Sequence, residues 1–217
     1  MQALLLDLDG TIVHSDPVHA AVFVDLLAGY GQNVDAAFYY AHIHGRQNLA
    51  IFADLLPGED AQALSDRKEA MYRDRLADVT PIAGLTRFIA QARDRGFALG
   101  LVTNAPRLNA DAVLAALYMT DTFDTIVIGD ECARGKPDPL PYATALANLG
   151  ADARASLAVE DSPSGIRSAV AAGLCTFGMR SSLTAGALHA AGAHATIADF
   201  NDTALHSALD RLTGAAA

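Results

Sequence analysis

Short apolar runs, each too brief for a helix and each followed by a stretch of helical spacing, recur along this chain and narrow the folds open to it. The first, Ala3–Leu8 (ALLLDL), ends near Gly10 and reads as a strand buried on both faces, the kind used by parallel sheets. Similar runs lie at Phe97–Thr103 (FALGLVT), Thr125–Gly129 (TIVIG), Ala155–Glu160 (ASLAVE) and Leu174–Gly178 (LCTFG), with a weaker one at His194–Ile197. Between them, Leu85–Arg95 carries Leu85, Phe88, Ile89 and Ala92 on one helical face before Gly96. Leu108–Tyr118 and Leu140–Leu149 follow the same spacing, the latter stopping at Gly150. Strands alternating with such helices imply βαβ units, hence an α/β fold with a doubly wound, Rossmann-like parallel sheet.

One segment departs from this rhythm. Residues 15–80 contain no convincing strand, only helical stretches at Pro17–Ala28, Gly45–Leu56 and Glu59–Ala77, punctuated by Pro57-Gly58 and Thr80-Pro81. An all-helical insertion directly after the first strand reads as a separate small domain over the carboxyl edge of the sheet. The expected organisation is a core from residues 1–14 and 81–217 with a helical domain from 15–80. A length of 217 residues suffices for one sizeable core and a smaller appendage.

Charge restricts the partners. A formal net charge of -10 argues against nucleic acid or an anionic membrane as the main partner, since both select for basic patches. An anionic substrate would therefore have to be met locally, by a metal, a few Lys or Arg, or backbone amides. No apolar run approaches the roughly 20 residues that span a bilayer, and the start of the chain has no basic region followed by a long apolar one, so the expected address is the cytoplasm. Cys132 and Cys175 lie far apart with no metal-ligand spacing and read as reduced thiols. The expected state is a monomer or a weak homodimer.

The strongest chemical signal is Asp7-Leu8-Asp9-Gly10-Thr11. Side chains two apart on a strand point the same way, so Asp7 and Asp9 are expected to converge at its carboxyl end, where open parallel sheets bind ligands. Two close carboxylates repel one another and invite a hard divalent cation such as Mg²⁺. Gly10 permits a sharp turn, and Thr11 offers a hydroxyl and an amide to an anion. Val159-Glu160-Asp161-Ser162 repeats the arrangement, with two acids ending an apolar strand. Ser162 suits a helix N-cap and Pro163 the first helical position, which sets Asp161 at a strand-to-helix junction fit for further metal ligands. Thr103 and Asn104 end another strand with a hydroxyl and an amide. Gly135-Lys136-Pro137-Asp138-Pro139 holds Lys136 in a stiff loop suited to clamping an anion.

In their order along the chain, DLDGT, the Thr103 strand end, GKPDP and EDSPSG resemble the four motifs of the haloacid dehalogenase superfamily. The helical segment is similar to the small cap of its β-phosphoglucomutase and phosphoglycolate-phosphatase-like branch. The resemblance implies a Mg²⁺-dependent phosphatase acting on a small-molecule phosphate ester, such as a sugar or carboxylate phosphate. It implies Asp7 as the nucleophile that forms an aspartyl-phosphate and Asp9 as the acid and base. Mg²⁺ would be held by Asp7, the main-chain carbonyl of Asp9 and Asp161, with Glu160 as a direct or water-mediated ligand. Thr103, Asn104 and Lys136 would bind the phosphoryl oxygens.

The helical domain is where such enzymes choose substrates. His19 stands where the mutase-like branch has a hinge histidine; it either positions Asp9 or the substrate, or lies on a helix face. His42, His44, Gly45, Arg46 and Asn48 form a polar cluster in which Gly45 and Arg46 are the candidate substrate contacts. A phosphosugar mutase must hold a second phosphate, and the positions its cap uses for an Arg and a Lys are here Asn48 and Asp74, with Arg46, Lys68 or Arg73 as possible substitutes. The expectation is therefore hydrolysis of a monophosphate ahead of mutase chemistry. Dehalogenation ranks lower, because Asp9 and Thr11 have no evident use in displacing a halide. A non-catalytic binding module ranks lowest, because every motif residue is present.

Overall fold

In the computed structural model, which describes residues 1–44 and 46–214, the chain opens on strand β1 (Ala3–Leu6). Helices α1 (Asp16–Ala28), α2 (Ala36–Phe38), α3 (Asn48–Leu55) and α4 (Ala61–Arg73) follow, with α2 continued by a π-helical turn at Tyr39–Ile43. Then come α5 (Leu85–Asp94), β2 (Ala98–Thr103), α6 (Arg107–Ala116), β3 (Thr125–Ile128) and α7 (Leu140–Leu149). The chain closes with β4 (Leu157–Glu160), α8 (Pro163–Ala171), β5 (Cys175–Met179), α9 (Ala185–Ala191), β6 (Ala195–Ile197) and α10 (Thr203–Leu212). Two compact units result: Met1–His14 with Thr80–Ala217, and Ser15–Val79.

The six strands form one sheet in the order β3-β2-β1-β4-β5-β6, and every pairing is parallel. This is the doubly wound, Rossmann-like arrangement expected from the alternating pattern. Strand β1 lies centrally, with Leu5 opposite Gly100 on β2 and Ala158 on β4. All four of its residues are buried, as helices on both faces of a parallel sheet require. The winding reverses between β1 and β4, so the carboxyl ends of these strands flank the crevice where open α/β sheets take ligands.

Several element boundaries differ from the sequence expectation. The ladder of β1 stops at Leu6, and although the Asp7 N–H still donates to the Val159 carbonyl at 3.1 Å, the chain then curls away. The Leu8 carbonyl accepts from the amides of Thr11, Ile12 and Val13 at 3.3, 2.9 and 3.3 Å. Asp9 therefore sits in a tight turn, and the alternation of an extended strand does not govern where it lies relative to Asp7. Gly10 takes φ +70° inside this turn, a conformation open to glycine at little cost. Strand β4 begins only at Leu157, because Ala153–Ala155 forms a 3-10 turn whose Arg154 amide is met by the Asp152 side chain. Helix α6 ends at Ala116, short of Tyr118, which adopts φ 57°. Helix α3 starts at Asn48, later than the expected Gly45, which lies outside the described residues.

The unit Ser15–Val79 contains helices and, among the described residues, no strand. Its own core gathers Phe23, Leu26, Leu27, Tyr39, Phe52 and Leu64. In the larger unit, the segments that flank this insertion run side by side. Val13 bridges Pro81, the His14 N–H donates to the Thr80 carbonyl at 2.9 Å, and Ile82 N–H donates to Ile12 at 3.0 Å. No described helix is long and apolar enough to cross a membrane. Cys132 and Cys175 are both free thiols.

Candidate active site

Two strand ends, a turn and one loop of the larger unit deliver the charged groups. Asp7 follows β1, Glu160 ends β4, Asp161 begins the turn into α8, and Lys136 lies between β3 and α7. Asp7, Glu160 and Asp161 each offer a carboxylate oxygen within 4.8 Å of the others. The Asp9 carboxylate is not a member of this cluster, though its charge adds to the forces acting on Asp7.

Lys136 is the cation at the centre. Its side chain is only 3% exposed, so it is no solvated surface lysine. The ammonium donates to Asp7 Oδ1 at 2.6 Å, to the Val102 carbonyl at 2.7 Å and to Glu160 Oε1 at 2.5 Å. An ammonium has three hydrogens, and all three are engaged. Burial works to lower the Lys136 pKa, but Asp7 and Glu160 outweigh it and hold the group raised and charged.

Glu160 is completely buried and fully hydrogen-bonded. Oε1 accepts from Lys136 and from the Tyr142 hydroxyl at 3.1 Å; Oε2 accepts from the Ser162 amide at 3.2 Å and the Ser162 hydroxyl at 3.1 Å. Those four bonds fill the lone-pair positions of a carboxylate. The seat exists because residue 165, in the first turn of α8, is glycine: a Cβ there would lie 1.7 Å from Glu160 Oε1. The positive end of that helix also favours the buried anion.

Asp7 is different. Lys136 takes one of its oxygens, and among the described residues no donor takes the other. Burial, followed by the neighbouring Glu160 charge, pushes its pKa up to about 7 against the opposing pull of Lys136. Two buried carboxylates sharing one ammonium leave negative charge uncompensated. Asp161 adds a third acid, half-buried, with Oδ2 accepting from the Ser181 hydroxyl at 3.2 Å. A Cβ at Gly10 would stand 2.1 Å from that same Oδ2, so the tight turn carrying Asp9 can pass Asp161 only as glycine. Hard oxygen donors in excess over local positive charge fit Mg²⁺. With the four lone-pair positions of Glu160 taken, Asp7, beside Asp161, is the carboxylate of this cluster placed to meet such an ion.

The remaining motif residues frame this cluster. Thr103 is 2% exposed at the end of β2, and its Oγ1 accepts from the Ala105 amide at 3.0 Å. The Asn104 side chain is engaged by the main chain of Lys136. Thr11 is fully buried, and its Oγ1 has no hydrogen-bond partner among the described residues.

The candidates on the helical unit form two further groups within that unit. His19 on α1 stacks on Tyr72 with ring centroids 4.1 Å apart, and its Nδ1 accepts from the Lys68 ammonium at 3.0 Å. Lys68 is 4% exposed and also donates to Glu69 at 2.9 Å; Glu69 accepts in turn from Asn48 Nδ2 at 2.6 Å. Arg46 is exposed and paired with Asp54, while His44 lies 3.3 Å from Asp16. Gly45 lies outside the described residues.

Two contributors were not singled out from the sequence. Tyr142 carries no motif and reads as an ordinary apolar position of α7; the one hint is a hydroxyl where phenylalanine would pack as well. Ser181 lies in the polar loop after β5, where nothing in the spacing marks it.

A family model described as haloacid dehalogenase-like hydrolase matches residues 1–173. Protein CbbY of Rhodobacter capsulatus is 32% identical over 188 residues, covering 80% of this chain and 83% of that protein. A phosphoglycolate phosphatase of Rhodospirillum rubrum is 34% identical over 192 residues, covering 80% of this chain and 77% of its own. The crystal structure of CbbY from Rhodobacter sphaeroides in complex with phosphate matches at TM-score 0.79 and 25% identity, over 96% of this chain and 98% of that one.

Proposed function

Because this chain belongs to the haloacid dehalogenase-like hydrolases, we propose that it is a Mg²⁺-dependent phosphatase cleaving a small-molecule phosphate monoester, a sugar or carboxylate phosphate. The observation that carries this reading is the asymmetry of Asp7: one oxygen is fixed by Lys136 and the other is left without a donor, beside Asp161. A buried carboxylate with one oxygen held and the other without a donor is suited to act as a nucleophile.

In the proposed reaction the free Asp7 oxygen attacks phosphorus, forming an aspartyl-phosphate as the P–O bond to the leaving group breaks. Asp9 gives its proton to the departing alkoxide. Water then attacks the phosphoryl group, Asp9 takes the proton from that water, and the bond to Asp7 breaks to release inorganic phosphate. Asp7 and Asp161, with the main-chain carbonyl of Asp9, would hold Mg²⁺, which supplies positive charge to the phosphoryl oxygens. Lys136 keeps Asp7 oriented and offsets the charge of two carboxylates. Thr103 and the turn at Gly10 and Thr11 are the proposed anion contacts; Asn104 would contribute through its main chain, since its amide is engaged.

Hydrolysis is favoured over a mutase reaction by the pairing of cations in the helical unit. Arg46 is matched with Asp54 and Lys68 with Glu69, so neither is an uncompensated charge suited to a second phosphate. The test is release of inorganic phosphate from p-nitrophenyl phosphate with Mg²⁺, compared with EDTA-treated protein and an Asp7→Asn variant. Activity should vanish in both comparisons, and normal turnover by Asp7→Asn would sink the mechanism. Incubation with β-glucose 1-phosphate should yield no glucose 6-phosphate.

A further inference from the structure

Tyr142 is fully buried on α7 among Ala3, Leu5, Val102, Val127 and Leu146, a setting in which a phenyl ring alone would pack. Its hydroxyl nevertheless sits 3.1 Å from Glu160 Oε1, and its ring centroid lies 5.3 Å from the Lys136 ammonium. One side chain thus touches both members of the buried ion pair. An ionised carboxylate only accepts, so the phenol donates. A hydroxyl in an apolar core costs free energy unless bonded, and this bond supplies one of the four that satisfy the Glu160 carboxylate.

We propose that Tyr142 is a positioning residue of this site: its hydroxyl fixes the plane of the Glu160 carboxylate, which in turn fixes Lys136 against Asp7. The chain of contacts runs from Tyr142 Oη to Glu160 Oε1, from Glu160 to Lys136 Nζ, and from Nζ to Asp7 Oδ1 at 3.1, 2.5 and 2.6 Å. Without the hydroxyl, Oε1 keeps Lys136 alone, and the carboxylate is free to rotate about the contacts that Oε2 makes with Ser162. Lys136 then loses the fixed partner that holds it opposite the nucleophile. Glu160, on this account, anchors the lysine and leaves the cation to Asp7 and Asp161.

Tyr142→Phe tests this, because it keeps the ring, the packing and the cation–π contact and deletes only the donor. For its kinetic arm the inference rests on the phosphatase reading. With p-nitrophenyl phosphate, kcat should fall about five- to twentyfold, while KM and the Mg²⁺ concentration for half-activation stay within about twofold. In a Glu160→Gln background the same substitution should cause no further fall, since residues acting in one chain are not additive. A second arm needs no turnover: the ¹⁵N-ammonium resonance of Lys136, protected by burial, should be sharp in the parent and broadened or lost in Tyr142→Phe. A variant with lowered Tm but parental kcat and a parental Lys136 signal would overturn the inference and leave Tyr142 a packing residue. If the parent releases no phosphate, the functional reading fails, and the Lys136 resonance still decides the role of Tyr142.

Discussion

Asn104 grips Lys136 by its main chain at two points: Oδ1 accepts the Lys136 N–H at 3.2 Å, and Nδ2 donates to the Lys136 carbonyl at 3.3 Å. The end of β2 is thereby tied to a loop 32 residues away, and the ammonium that reaches Asp7 starts from a fixed backbone. Gly129, just past β3, is part of the same arrangement, because a Cβ there would lie 2.0 Å from Asn104 Oδ1.

Truncating this grip should cost activity more than stability. Asn104→Ala removes two partly exposed hydrogen bonds, so denaturant unfolding should show a loss of about 1–2 kcal/mol. The kcat for phosphate release should fall roughly tenfold as the Lys136 loop loosens. A kcat equal to the parent's would mean that the three contacts of the ammonium hold the loop unaided.

Gly165→Ala should be among the more damaging single-methyl additions. The new Cβ would stand 1.7 Å from Glu160 Oε1 and 2.2 Å from Oε2, so the carboxylate must leave its seat or α8 must shift. Overpacking of this kind costs about 1–3 kcal/mol. Here it also unseats the partner of Lys136, so phosphate release should drop by at least about tenfold in protein that remains folded. Thermal melting and steady-state kinetics on the same sample separate the two effects.

The helical unit should lose stability as pH rises past neutrality. The hydrogen bond His44 donates to Asp16 raises the His44 pKa above its usual 6.5, against the effect of burial. The folded protein therefore holds this proton more tightly than the unfolded chain. The stabilisation is complete below about pH 6.5 and is lost as pH climbs through the raised folded value. Urea midpoints at about pH 6 and about pH 9 should differ more for the parent than for Asp16→Asn, by up to about 1 kcal/mol. Equal slopes for the two proteins would show that the pair contributes nothing.

Within the same unit, Lys68 and Glu69 should respond unequally to neutral substitutions. Glu69→Gln keeps an acceptor for Asn48 and for Lys68 but removes the negative charge beside a buried ammonium, at a cost of about 3 kcal/mol. Lys68→Met removes the charge and keeps the bulk, while Glu69 retains its bond from Asn48, so the loss should be smaller. Hydrogen exchange in α1 and α4 would rank the two variants.

The alternation of buried runs and helical spacing makes the sheet legible in the sequence, because a central parallel strand such as β1 must be apolar at every position. Asp7, Glu160 and Asp161 stood out for a related reason: one acidic pair at the end of an apolar strand signifies little, but two such pairs occur in this chain. What Lys136 touches was not, since its partners lie 129 and 24 residues away and no local spacing encodes them. A lysine in a Gly/Pro-framed loop suggested an anion clamp, yet its three hydrogens are all bonded within the protein. Tyr142 was hidden by its own packing, for helical periodicity reports only that a residue faces the core. The early end of β1 was missed because Leu8 is as apolar as the strand residues before it, while the turn it opens is made by backbone bonds to its carbonyl.

The bond from the His14 amide to the Thr80 carbonyl has an evolutionary and a practical consequence. Entry and exit of the helical insert are stitched together on the larger unit, so the insert behaves as a cassette. Its length and contents can change by recombination without shifting the register of any strand. A chain in which a two-residue turn joins His14 to Thr80 should retain a cooperative unfolding transition for the sheet, making this protein a ready acceptor for other helical inserts.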